Sequence, residues 1–228
     1  AYAILKGVLG LETEHLAEIF AKWNQGALES YLIEITASIF RKKDPDTGKP
    51  MVDVILDKAG QKGTGLWTLQ SALTQSVVIS TINAAVEARV ISSRKDERVA
   101  SSKILPQPEL PKFEGNREEL IQSVHDALYA SKIISYAQGM ELLGAASTTS
   151  KWNLNFGDIA TIWRGGCIIR AKFLNRIVEA YTRNPNLHNL LLDEYFTDII
   201  ARTQHNWRVA VSTAINYGVA APAFSASL

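Results

Sequence analysis

A single cysteine, Cys167, stands in 228 residues. It excludes any internal disulfide, and one thiol in so long a chain reads as a protein of a reducing compartment, the cytoplasm by default. Charge excess is lacking too: 24 Lys and Arg face 23 Asp and Glu, a net charge of +1. That excludes a surface built to coat nucleic acid, which needs clustered, uncompensated cations. The longest uncharged stretch, Gly63 to Val86, is interrupted by Thr64, Thr68, Gln70, Ser71, Thr74, Gln75, Ser76, Ser80, Thr81 and Asn83. A spanning helix tolerates few such groups, so no membrane segment is expected. His15, His125, His188 and His205 show no i, i+4 pairing, and one thiol cannot complete a thiolate site, so no metal is expected. No Gly-x-Ser-x-Gly elbow occurs, and Cys167 reads as a packing thiol. The start, AYAILKGVLGLETEHLAEIF, has neither an initiator Met nor a signal-peptide layout. It is already in helical period at Ile4, Val8 and Leu11, as though cut within a helix.

What is present is helical spacing. Leu69, Leu73 and Val77 form one i, i+4 row, Val78, Ile82, Val86 and Val90 a second, and Ile169, Phe173, Ile177 and Tyr181 a third, all read as core-facing stripes. Punctuation falls at Asp44–Pro50, Gly60–Gly65, Pro106–Pro111, Asn184–Asn186 and Pro222. With no alternating run long enough for a sheet, the pattern predicts an all-α protein of roughly eight to ten helices at the usual length of about 10–14 residues. Pro106–Pro111 is the only linker candidate, and helical patterns on both sides of it favour one large domain over residues 1–228. Gly165-Gly166 lies inside a helical pattern, where glycine is costly, so a close helix crossing is expected there. Lys132 reads as solvated or paired, and Glu118-Glu119, Asp193-Glu194 and the Lys95–Arg98 charges as solvated helix faces or ends.

One stretch carries chemistry. In Asp57-Lys-Ala-Gly60-Gln-Lys62-Gly63-Thr64-Gly65-Leu-Trp67 the glycines let backbone N–H groups converge, Lys62 supplies a charge and Thr64 a hydroxyl. The apolar run that follows starts a helix whose N-terminus is partly positive, which suits a phosphate; a plain glycine turn with a surface lysine is the alternative. A P-loop is excluded, because Leu66 and Trp67 occupy the places of its Lys and Ser or Thr. A dinucleotide fingerprint also fails, because Thr68 stands where the third glycine belongs and no strand precedes it.

This loop resembles the 6-phosphogluconate dehydrogenases, whose helical domain carries an Asp-x-x-Gly-x-Lys-Gly-Thr-Gly-x-Trp signature matched by Asp57 to Trp67. Leu32–Thr36, Lys95–Arg98 with Ala100–Lys103, Leu128–Gly139, Trp163–Arg170 and Asn189–Asp193 are similar to the same family in the same order. The likeness spans essentially the whole chain. It implies the all-α substrate-binding and dimer-forming domain of that family, truncated at both ends, without the Rossmann domain and the C-terminal tail that reaches into the partner subunit.

The resemblance further implies an NADP-dependent oxidoreductase of the pentose phosphate pathway and of gluconate utilisation. It oxidises 6-phosphogluconate at C3, decarboxylates the product and releases ribulose 5-phosphate, with no metal. The family's lysine base and glutamate acid would lie before Ala1, so no catalytic residue is expected here, the isolated piece should be inactive, and NADP would be held mainly by the missing Rossmann domain. Lys62, Thr64 and Arg89, with Gly63 and Gly65, would bind the substrate phosphate, and a homodimer is implied. The alternatives are a non-enzymatic helical assembly module or another beta-hydroxyacid dehydrogenase.

Arg89 carries a condition. In one straight helix from Leu66 to Ser92 it would stand roughly 40 Å from Lys62 at about 1.5 Å per residue. The helix must therefore break, and Thr74–Val78 stands where the family has a Gly and often a Pro, so packing and Ser or Thr side-chain bonds would have to bend it. Leu66, where many relatives are basic, makes the loop edge less positive.

Overall fold

The computed structural model describes residues 1–106 and 108–228. Gln107, inside the stretch read as the linker candidate, lies outside the described residues. The described chain folds into α1 (Tyr2–Leu9), α2 (Thr13–Trp23), α3 (Tyr31–Arg41), α4 (Met51–Val54), α5 (Thr64–Thr74), α6 (Ser80–Ser93), α7 (Lys95–Ile104), α8 (Arg117–Ser150), α9 (Phe156–Ile162), α10 (Leu174–Arg183), a 3-10 turn at Leu190–Leu192, α11 (Glu194–Asn216) and α12 (Pro222–Ser227). The count exceeds eight to ten because α4, α9 and α12 have only 4, 7 and 6 residues. Extended pairing among the described residues is limited to isolated bridges, Ser30 with Ala171 and Lys43 with Pro50.

The 34-residue α8 is the axis. It buries Leu120, Val124, Ala127, Ala130, Ile133, Ala137 and Met140, which recur every three or four residues and so share one face. The alanines in that row let α11 approach closely, and α11 answers with Phe196, Ile199, Trp207, Ala210 and Ala214. Trp207 Nε1 donates to Phe224 O at 3.1 Å, which ties α12 down. Asn116 starts α8 by accepting from the Glu118 and Glu119 N–H groups at 3.0 and 3.3 Å. Caps of this kind contribute about 1 kcal/mol, and carboxylates in a first turn add to them through the helix dipole.

Residues of α5, α6 and α7 take no part in this main core. The first two rows read as core-facing are therefore corrected: Leu73 is 81% exposed and Val78 71% exposed, although their neighbours Ala72 and Ile79 are buried. Only the Ile177 and Tyr181 half of the third row is helical, since α10 begins at Leu174.

Candidate functional site

The required break exists. Helix α5 ends at Thr74 and α6 starts at Ser80. Ser76 takes a left-handed φ of 55°. Its N–H donates to Leu73 O at 3.2 Å and the Val77 N–H to Ala72 O at 2.9 Å, the paired bonds of a Schellman turn with serine in the usual glycine position. Main-chain geometry thus makes the bend. Thr74 Oγ1 donates to Gln70 O at 2.8 Å and Thr149 Oγ1 to Gln75 Oε1 at 2.9 Å.

The reversal lays α6 back along α5 and encloses a cleft of about 490 Å³ lined by Gly60, Gln61, Lys62, Gly63, Thr64, Gly65, Ile82, Ala85, Val86 and Arg89. The α6 contributors fall at spacings of three, one and three, one helical face. Gly65 allows the close approach: a Cβ there would stand 2.9 Å from Val86 Cγ2. Gly63 has φ 94° and a Cβ on it would meet the Trp67 ring at 3.5 Å. All five residues expected at a phosphate, Lys62, Gly63, Thr64, Gly65 and Arg89, line this one cleft.

Its field is positive. Lys62 and Arg89 are exposed and have no ion-pair partner among the described residues. The first N–H of α5 with a main-chain acceptor is that of Trp67, 3.0 Å from Gly63 O. The Thr64, Gly65 and Leu66 N–H groups precede it and remain open at the positive end of the helix dipole.

Two anchors of this site escape a reading of the sequence alone. Arg98, taken as a surface charge, donates to Asp57 Oδ2 at 3.0 Å, to Asp57 O at 2.8 Å and to Ser92 O at 3.3 Å. With the Ala59 N–H bonded to Ser92 Oγ at 3.1 Å, it fastens the glycine loop to the α6–α7 corner. The second is Gln138, nearly buried on α8. It accepts from the Thr81 N–H at 3.1 Å and donates to Ser80 Oγ at 3.2 Å, fixing the start of α6. The only sequence signal was that Asp57, Arg98 and Gln138 each sit in a stretch resembling the same family.

Other expectations need correction. Asp193 is no solvated carboxylate: it is buried, caps α11 by accepting from the Tyr195 N–H at 3.1 Å, and receives Arg183 Nη2 at 2.7 and 2.8 Å. Gly165 and Gly166 lie beyond the end of α9, and a Cβ on either would meet nothing within 4 Å. Gly166 is there for its φ of 64°, a turn requirement and not a helix crossing. Cys167 is half-buried beside Tyr136, whose hydroxyl donates to Ile169 O and is pushed up in pKa by burial and by the nearby Cys167. Lys132 is half-buried with its ammonium drawn inside: Nζ donates to Ser30 Oγ at 2.6 Å and sits 5.6 Å from the Phe173 ring centre. Desolvation lowers its pKa to about 8.

No helix among the described residues is long and apolar enough to cross a membrane. Residues 1–228 match the family described as "6-phosphogluconate dehydrogenase, C-terminal domain". The NADP(+)-dependent, decarboxylating 6-phosphogluconate dehydrogenase of Bacillus subtilis is 56% identical over 228 residues, all of this chain and 49% of that protein. The decarboxylating enzyme of Homo sapiens is 49% identical over the whole chain and 47% of its own length. Among solved structures, Plasmodium falciparum 6-phosphogluconate dehydrogenase, described in apo form and with its cofactor NADP+ and its substrate 6-phosphogluconate, superposes with a TM-score of 0.95 at 46% identity. That match takes in 99% of this chain and 49% of the other. The chain thus spans about half the length of the relatives it matches.

Proposed function

The chain belongs to the 6-phosphogluconate dehydrogenase family as its C-terminal domain, and from that premise we propose that it holds the phosphate of 6-phosphogluconate in the cleft between α5 and α6. The observation that carries the reading is that Lys62 and Thr64 of the glycine loop and the sequence-distant Arg89 of α6 line one cleft, with neither cation in an ion pair among the described residues. A phosphate dianion there meets two opposite charges, the Thr64 hydroxyl and the open N–H groups of the first turn of α5. Charge-assisted bonds of this kind are about twice as strong as neutral ones. Arg89 suits the planar recognition of two phosphate oxygens, and Lys62 acts as a point charge.

In the whole protein the bound sugar acid would lose a hydride from C3 to NADP+, then its carboxyl as CO2, leaving ribulose 5-phosphate. NADP supplies the hydride acceptor when bound. The described residues form no strand and no strand-to-helix glycine turn, so they do not fit a dinucleotide fold. We accordingly assign this domain the anchoring of the substrate phosphate. A pure assembly module has no use for two unpaired cations around a glycine cleft, which disfavours that alternative.

Self-association is the second part of the reading. Leu66, Trp67, Leu73, Val78, Ile91, Ile104 and Leu105 are all exposed on or beside α5, α6 and α7, apolar side chains that association with a second copy would cover. A second copy of the chain is the proposed occupant, and sedimentation at micromolar concentration should return a dimer.

Calorimetric titration of 6-phosphogluconate into the 228-residue chain tests the site. Lys62→Ala should weaken binding at least ~tenfold, about 1.4 kcal/mol, with helicity kept. Unchanged affinity would end the phosphate assignment.

A further inference from the structure

A second cationic cavity, sharing no residue with the α5–α6 cleft, lies between the start of α3 and the loop that joins α9 to α10. It measures about 470 Å³ and is lined by Asn24, Glu29, Ser30, Glu34, Arg164, Arg170, Lys172 and Asn175, with Ala171. Its walls are held by main-chain bonds across the two segments. The Tyr31 N–H donates to Arg170 O at 3.2 Å and the Lys172 N–H to Glu29 O at 2.9 Å.

Charge within it does not balance. Arg170 pairs with Glu34 at 3.1 Å and Lys172 with Glu29 at 3.2 Å, which uses both carboxylates. Arg164 finds only the neutral Asn175 Oδ1, at 3.1 Å. Behind Ser30, itself 6% exposed, stands the ammonium of Lys132 with no carboxylate within ion-pair distance among the described residues. A buried ammonium without a counter-charge is costly. Two positive charges are left over beside a cavity wide enough for a small ligand, which is the condition for holding one dianion.

We infer that this cavity is a second anion site, selective for a tetrahedral dianion of the phosphate or sulfate class. Arg164 and Asn175 contact the anion, and Ser30 forms the floor with its hydroxyl donated to Leu28 O at 2.9 Å; Lys132, bonded to the same hydroxyl from outside the lining, contributes its charge through space. The paired Arg170 and Lys172 form the rim, where Arg170 also lies over the Tyr31 ring at 4.8 Å. The lowered pKa of Lys132 agrees with a cation short of a partner.

The test is an amide-shift titration of the 228-residue chain with inorganic phosphate, then sulfate, against chloride at matched ionic strength. The amides at 170–175 should move along a saturating curve with either dianion and stay still with chloride. Arg164→Ala should weaken that curve at least ~tenfold and Lys132→Met by a smaller factor, while the amides at 60–65 respond as before. Lys62→Ala should do the reverse, leaving 170–175 saturable. Shifts at 170–175 that are absent, linear, equal with chloride, or unaffected by Arg164→Ala overturn the inference. Saturation at 170–175 with silence at 60–65 would instead overturn the α5–α6 assignment alone. Lys132→Met is apolar and of similar length, and Arg164 is exposed, so circular dichroism should find both variants folded.

Discussion

Gly65 and Val86 set the width of the cleft: a Cβ on Gly65 would lie 2.9 Å from Val86 Cγ2, closer than two carbons can rest. Val86 is β-branched and stiff at χ1, so it cannot swing aside without strain. The contact holds the first turn of α5 against the α6 face that carries Arg89.

Gly65→Ala should therefore push the two helices apart. An overpacked contact costs about 1–3 kcal/mol, and the same displacement separates Arg89 from the α5 N-terminus. The expected outcome is a lower unfolding midpoint together with weaker 6-phosphogluconate binding. A variant with unchanged affinity would show that the spacing of α5 and α6 does not matter to the ligand.

Arg98 acts at one remove. Arg98→Ala removes the bonds to Asp57 and Ser92 that fasten the glycine loop and should reduce phosphate affinity without touching the ligand. Asp57 is largely exposed in that pair, so the loss of global stability should stay near 1 kcal/mol or less. Arg98→Lys, which keeps the charge but loses the fork that reaches two acceptors, should fail to restore affinity.

Much of this was legible in the residues. The three-to-four spacing in α8 and α11 marks buried faces, and the loop chemistry pointed to Lys62 and Thr64. Arg89 could be placed only through resemblance, because its approach depends on a bend made by Ser76, a residue with no turn signature of glycine or proline. Apolar periodicity on α5 and α6 marks an amphipathic face but not what covers it, so the pattern alone cannot tell that Leu73 and Val78 are exposed. Arg98 and Asp193 looked like ordinary surface charges because their meaning lies in partners: Asp57 is 41 positions from Arg98, and Arg183 is 10 from Asp193.

Asp193 should matter to stability. Asp193→Ala removes the α11 cap and the acceptor for Arg183 together. A cap contributes about 1 kcal/mol and a hydrogen bond to a charged group about 1.5–3 kcal/mol, so a loss of about 2.5–4 kcal/mol is expected in denaturant unfolding. Asp193→Asn keeps a capping oxygen and should lose less.

Lys132 makes stability depend on alkaline pH. Its folded pKa of about 8 lies below the ordinary lysine value of 10.5. Between those values the unfolded chain binds more protons, so stability rises with pH across that window. Below the folded value the full cost of burying the ammonium is present, on the order of 3 kcal/mol. In buffer free of phosphate and sulfate, the denaturation midpoint should climb from pH 8 to pH 10, and Lys132→Met should abolish that climb. Identical profiles for the two proteins would mean that the ammonium is not desolvated.

The measurement closest to the central claim is an amide-shift titration of the chain with 6-phosphogluconate, with Arg89→Ala alongside. The account predicts that the N–H groups of Thr64, Gly65 and Leu66 move furthest, along one saturating curve that Arg89→Ala weakens at least ~tenfold. Saturable binding that leaves those three amides unmoved, or that Arg89→Ala does not alter, would contradict the placement of the phosphate at the start of α5.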